Sequence, residues 1–174
     1  MTKEERLCYL IGVVCTQFSK LEHMLGNLCS KLMGPDGNIG SIVAAECSFS
    51  RLIALAKSLV YHKSRDPVVH QEFDGLASAL AQAEQHRNIV LHSIWAITIG
   101  GEADFTRFKT TAKLKRGLHR EMESVTPASL QSNGEFIAAT FAALMDFDQR
   151  MMKLGLAELS KVPFEIHERK SSTS

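Results

Sequence analysis

The sequence predicts an all-α protein, an up-and-down bundle of the four-helix type with a small β-hairpin inserted after the third helix. Three observations carry this. From Leu7 to Leu32 an apolar residue recurs every three or four positions without a break. Two later stretches, introduced by Asp66-Pro67 and Thr126-Pro127, repeat that helical spacing. Between them, from Ile94, the pattern changes to β-branched and aromatic residues around a glycine turn, which is strand chemistry.

The first helix is the clearest element. Leu7, Ile11, Val14, Phe18, Leu21, Leu25, Leu28 and Leu32 form one long seam, and Gly34-Pro35-Asp36-Gly37 ends it, because Pro and Gly together stop a helix. A dimeric coiled coil is the competing architecture for such a seam. The bundle is preferred because Cys8, Cys15 and Cys29 share one heptad phase and widen the stripe. A second helix is expected from about Ile39 to Tyr61, with Ile39, Val43, Leu52, Leu55 and Leu59 on its buried side and Phe49 nearby. Asp66 as cap and Pro67 in the first turn open the third. It continues through Val69, Phe73, Leu76, Leu80, Ala83, Arg87 and Leu91, so a charge falls on the apolar seam. The segments 94–99 and 105–111 are the hairpin strands around a turn at Gly100-Gly101-Glu102-Ala103-Asp104. The polar stretch to about Val125 has no clear period. A closing helix carries Ile137, Phe141, Leu144, Phe147, Met151 and Leu154, with Asn133-Gly134 threatening its first turns. Residues 1–162 thus read as a single helical domain and 163–174 as a loose tail.

Composition narrows the function classes. A chain of 174 residues with 45% hydrophobic and 22% charged residues fits one soluble domain with a real core. No apolar run approaches a membrane span, and the charged N-terminus does not lead a signal peptide. A cytoplasmic protein without a membrane partner is expected. Four cysteines without a C-x-x-C pair read as small hydrophobes in a reducing compartment, not as a metal site. A net charge of +1 leaves any nucleic-acid claim to local charge. No P-loop, G-x-S-x-G, H-E-x-x-H or paired Glu-x-x-His pattern occurs. No metal or other cofactor is therefore expected.

The sharpest constellation lies at the end of the third helix, in Glu84-Gln85-His86-Arg87-Asn88-Ile89-Val90-Leu91-His92-Ser93-Ile94-Trp95. At 100° per residue, Asn88 and His92 stack one turn apart, and Arg87 sits beside Asn88 toward the seam. An imidazole that titrates near neutrality can move a proton. A guanidinium offers a planar fork of donors to phosphate oxygens, and a carboxamide can orient either one. The set suits a phosphodiester and needs no metal.

Arg87-Asn88-Ile89-Val90-Leu91-His92 resembles the R-x(4–6)-H motif of the HEPN superfamily, whose arginine is commonly followed by a polar residue such as Asn. The likeness extends over the long first helix, the second helix, the motif helix, the hairpin with Trp95 and the closing helix. Ser93 departs from it, since many relatives carry Gly there. The resemblance implies a metal-independent endoribonuclease that leaves a 2′,3′-cyclic phosphate. His92 would handle a proton, Arg87 would stabilise charge on the phosphorus oxygens, and Asn88 would position one or the other. It also implies RNA as substrate and a homodimer through the motif helix. A toxin–antitoxin or phage-defence setting with an antitoxin or regulatory partner follows from it too. Glu84, Glu22 and Ser93 are candidate supporting residues. The same resemblance allows a catalytically inactive module that binds RNA, nucleotide or a partner protein.

Plainer readings stand beside these. Arg87 also reads as a structural arginine paired with Glu84 or Glu22, and His92 as a cap for the last carbonyls of its helix. A basic run, Arg107, Lys109, Lys113, Lys115, Arg116 and Arg120, has no acid between Phe105 and Arg120. It is a candidate RNA-backbone contact, or a solvated charged surface.

Overall fold

A computed structural model describes residues 1–34, 36–98, 104–113 and 117–159, with the side chains of 111–113 excluded. The chain is mainly α-helical, with five helices and a small three-stranded antiparallel sheet among the described residues. Helix α1 spans Lys3–Met33, α2 Gly37–Ala45, α3 Phe49–Lys63, α4 Pro67–Leu91 and α5 Pro127–Lys153. Strands β1 (Ile94–Ile97), β2 (Phe105–Lys113) and β3 (Gly117–Val125) lie between α4 and α5 in the order β1-β2-β3. No helix is long and apolar enough to cross a membrane among the described residues.

Helix α1 begins in a capping box. The Thr2 hydroxyl accepts from the Glu5 N–H at 3.1 Å, and the Thr2 N–H donates to Glu5 Oε2 at 2.7 Å. Two otherwise orphaned donors are satisfied together. Its seam is buried at Leu7, Val14, Phe18, Leu21, Leu25, Leu28 and Leu32, and α2, α3, α4 and α5 all pack against it. Of the three cysteines in one phase only Cys29 is buried; Cys15 is half-buried and Cys8 is exposed. Burial pushes the Cys29 thiol up to about 12, so it behaves as a hydrophobe.

The helix expected over 39–61 is two helices. Glu46 closes α2 and Ser48 opens α3. Serine at an N-cap is a start signal that the apolar spacing across 39–61 obscures. The break changes which residues are inside. Ile39 and Val43 are exposed, and α3 buries Phe49, Leu52, Ala56 and Val60. Helix α2 lies so close to α1 that a Cβ on Gly40 would stand 2.7 Å from the Ser30 Cα. Only glycine permits that approach.

Asp66 caps α4 as expected, accepting from the Val68 N–H at 2.8 Å, and Thr126 caps α5. The α4 seam runs through Val69, Phe73, Leu76, Leu80 and Ala83, and resumes at Val90. Leu91 is exposed. Asn133-Gly134 does not break α5. Gly134 is buried in mid-helix, where an added Cβ would meet Val13 Cγ1 at 3.1 Å. The unassigned polar stretch is the third strand: all nine residues of β3 pair with β2, from Phe105↔Val125 to Lys113↔Gly117. The expected 100–103 turn, Ile99 and the 163–174 tail lie outside the described residues.

A buried ion pair ties the two longest helices. Lys31 Nζ donates to Asp148 Oδ2 at 2.7 Å, and Asp148 is buried. The other carboxylate oxygen, Asp148 Oδ1, has no partner among the described residues. The carboxylate therefore depends on this one cation. Lys31→Met is expected to destabilise the fold by about 3 kcal/mol in urea titration, because it strands a buried charge. Lys31→Met combined with Asp148→Leu should recover most of that loss.

Candidate functional site at the end of helix α4

The last turn of α4 is closed by three different donors. The His92 N–H donates to the Asn88 carbonyl at 3.1 Å, the Ser93 hydroxyl to the Ile89 carbonyl at 2.6 Å, and the Trp95 indole Nε1–H to the Val90 carbonyl at 2.9 Å. Carbonyls that a helix end leaves unpaired are thereby satisfied. Ser93 thus terminates the helix through its hydroxyl, and Trp95 pins β1 to α4. The His92 backbone, not its imidazole, serves as the cap.

Arg87 occupies the seam position between Ala83 and Val90 and is half-buried. Its guanidinium lies over the Phe18 ring, 5.2 Å from the centroid, and its Nη1 donates to Asn88 Oδ1 at 2.9 Å. Phe18 packs in turn on Phe49, with centroids 4.7 Å apart. No carboxylate reaches Arg87 within ion-pair distance among the described residues. The pairings with Glu84 or Glu22 are therefore not formed. Glu22 instead lines a cleft of about 520 Å³ between α1, α2 and the start of α3, with His23, Asn27, Ser41 and Cys47.

The motif residues thus differ in setting. Arg87 and Asn88 are joined directly. His92 lies one turn further on, exposed, and its imidazole bonds to nothing among the described residues. With Oδ1 engaged, the Asn88 amide is left to donate. The unused guanidinium N–H groups, that amide and a solvent-reachable imidazole are therefore carried by the last turns of α4 and its cap. This is a donor-rich place for an anion. No group of three or more potential metal ligands occurs among the described residues.

The basic run is divided by strand alternation. Arg107 is buried, and its Nε donates to Glu123 Oε2 at 3.0 Å, with Nη2 on the same oxygen. Its Nη1 reaches the Ser93 hydroxyl at 3.4 Å. Arg107 thus links the sheet to the helix end. Lys109 stands opposite Glu121 on the same face. Arg120 is exposed on the other face. Lys115, Arg116 and the side chain of Lys113 lie outside the described residues. The acids that meet the run follow it directly in sequence, and only the register reveals the match.

Phe18 as a platform for Arg87 also escaped the sequence reading. Its place on the α1 seam marked it as core, with nothing to indicate which charge it would meet. No family model, curated protein or solved structure matches this chain.

Next to Arg87, His86 meets Phe136 edge-on with centroids 5.2 Å apart. Burial lowers its proton affinity. The unfolded chain then takes up a proton near pH ~6.5 that the folded chain resists. Stability should fall as pH drops below that value and level off once the folded His86 is protonated. A melting-temperature series from pH ~7 to ~5 is expected to slope less for His86→Gln than for the wild type.

Proposed function

We propose that this chain is a HEPN-type, metal-independent endoribonuclease acting as a homodimer, with α1, α3, α4 and α5 as its up-and-down four-helix set. The observation that carries the reading is Arg87. Its half-buried guanidinium has no carboxylate partner among the described residues, which leaves its donors open to an outside anion. Its donors lie beside Asn88, on the helix that ends at an exposed His92. An RNA phosphate would supply the missing anion.

In this reading a ribose 2′-hydroxyl attacks the adjacent phosphorus and leaves a 2′,3′-cyclic phosphate and a 5′-hydroxyl. One His92 removes the 2′-proton. A second proton must reach the leaving oxygen on the far side of the phosphorus, which the partner's His92 would provide. Arg87 balances charge on the non-bridging oxygens as it builds, and Asn88 holds the guanidinium. Ser93 acts through the helix end that it closes.

A second reading, a catalytically silent HEPN-like module that binds RNA, nucleotide or a partner protein, is favoured by one observation. Glu123 and Glu121 stand opposite Arg107 and Lys109, so the sheet offers fewer free cations to RNA than the sequence suggested.

Incubation of the purified protein with total RNA, with and without EDTA, separates these. Cleavage is expected to survive EDTA and to yield cyclic-phosphate ends. His92→Ala should lose about 100-fold or more in rate, in the range usual for a general acid or base. Cleavage abolished by EDTA and restored by magnesium would sink the mechanism. Wild type and His92→Ala equally silent on many RNAs would leave the binding module.

A further inference from the structure

Strand alternation gives the sheet two unlike faces. The inner face meets the helical core through Phe105, Trp95 and Val125 and carries the Arg107–Glu123 pair. On the outer face the register sets Ile94 opposite Phe108 and Phe108 opposite Met122. One apolar row therefore crosses all three strands. Ile94 is 73% exposed, Phe108 38% and Met122 75%, and Leu118, further along the same face of β3, is 62% exposed. Arg120 is the single charged residue among the described strand side chains of this face. A sheet face open to water ordinarily carries polar residues; here the ion pair is inside and the apolar row outside.

The size of the row indicates an occupant. At roughly 150–250 Å² for a large side chain, these four residues leave on the order of 450 Å² of apolar surface. That is the scale at which a patch is often functional, and more than half of the ~800 Å² each partner gives to a standard interface. Thr106, Thr110 and Ser124 on the same face extend it. The ribbon also needs support, since every residue of β3 from Gly117 to Ser124 is exposed and a two-stranded ribbon is marginal alone.

We propose that this outer face binds a second copy of the chain, face to face, about a two-fold axis crossing the Ile94–Phe108–Met122 row. An isologous contact lays the same patch on itself, so an apolar row would meet an apolar row across the axis. Nucleic acid would require many cations. The row starts two residues after His92, where the proposed cleavage needs its second copy. The inference deepens that reading and rests on it for choosing a second copy over an unrelated protein.

Sedimentation equilibrium of the full chain without RNA, from micromolar to sub-millimolar concentration, tests this. Wild type should be dimeric. Met122→Glu and Ile94→Lys should each weaken association about tenfold or more, with unchanged far-UV circular dichroism, and Met122→Leu should restore it. If Met122→Glu perturbs folding, Leu118→Glu, nearer the tip of the ribbon, should weaken the dimer as well. A monomer throughout the range, or a dimer indifferent to all these charges, overturns the interface. RNA cleavage by a dimer indifferent to these charges would uphold the chemistry and remove the interface. A dimer broken by Met122→Glu in a protein that cuts no RNA would do the reverse.

Discussion

The apolar seam of α1 is the contact on which everything else is assembled. Its 31 residues form the one element that α2, α3, α4 and α5 all touch, so the position of each is set by what α1 presents to it. The approaches are close enough to dictate small residues on the facing helices, Gly40 on α2 and Gly134 on α5. Interiors packed at crystal-like density leave no room for a substitute without displacement. The same seam reaches the candidate site through Phe18, which is at once a core residue and the surface on which the Arg87 guanidinium lies.

The energetics at Arg87 explain why that position stands apart. A cation over an aromatic ring gains about 0.5–2 kcal/mol, whereas desolvating an ion costs several. Arg87 is only half-buried, so part of that cost is avoided, and Phe18 and Asn88 hold the guanidinium in place. The guanidinium sits near a helix end whose carbonyls have already been answered by His92, Ser93 and Trp95. Helix termination and the candidate chemistry share residues there. Backbone and hydroxyl groups close the helix, and the guanidinium and imidazole are left for something else.

The sheet couples to the same place from the other side. Trp95 binds the end of α4, and Arg107 reaches from β2 to Ser93 while held by Glu123 on β3. Lys3 and Asp104 join the start of α1 to the start of β2 at 2.8 Å. The three strands are therefore fastened to the start of α1 and the end of α4, with the Arg107–Glu123 pair on the inner face and the Ile94–Phe108–Met122 row left outside.

Legible in the sequence were the helical class, the seams of α1, α4 and α5, the starts at Asp66 and Thr126, and the grouping of Arg87, Asn88 and His92 near one helix end. These are local properties: a period of 3.6, a capping side chain and residues three to five apart are all written within one or two turns. Tertiary structure decided what depends on partners distant in the chain. The break at Glu46–Ser48 let α2 and α3 pack on α1 as separate helices, a choice the spacing over 39–61 did not encode. The β2–β3 register turned a run of unaccompanied cations into cross-strand partners of Glu121 and Glu123 and made Arg107 a buried link. The absence of a carboxylate near Arg87 among the described residues, and the presence of Phe18 beside it, followed from how α4 settled against α1. A residue type and its spacing state what a side chain is able to do; the neighbour that satisfies it or leaves it waiting is supplied by packing across dozens of residues.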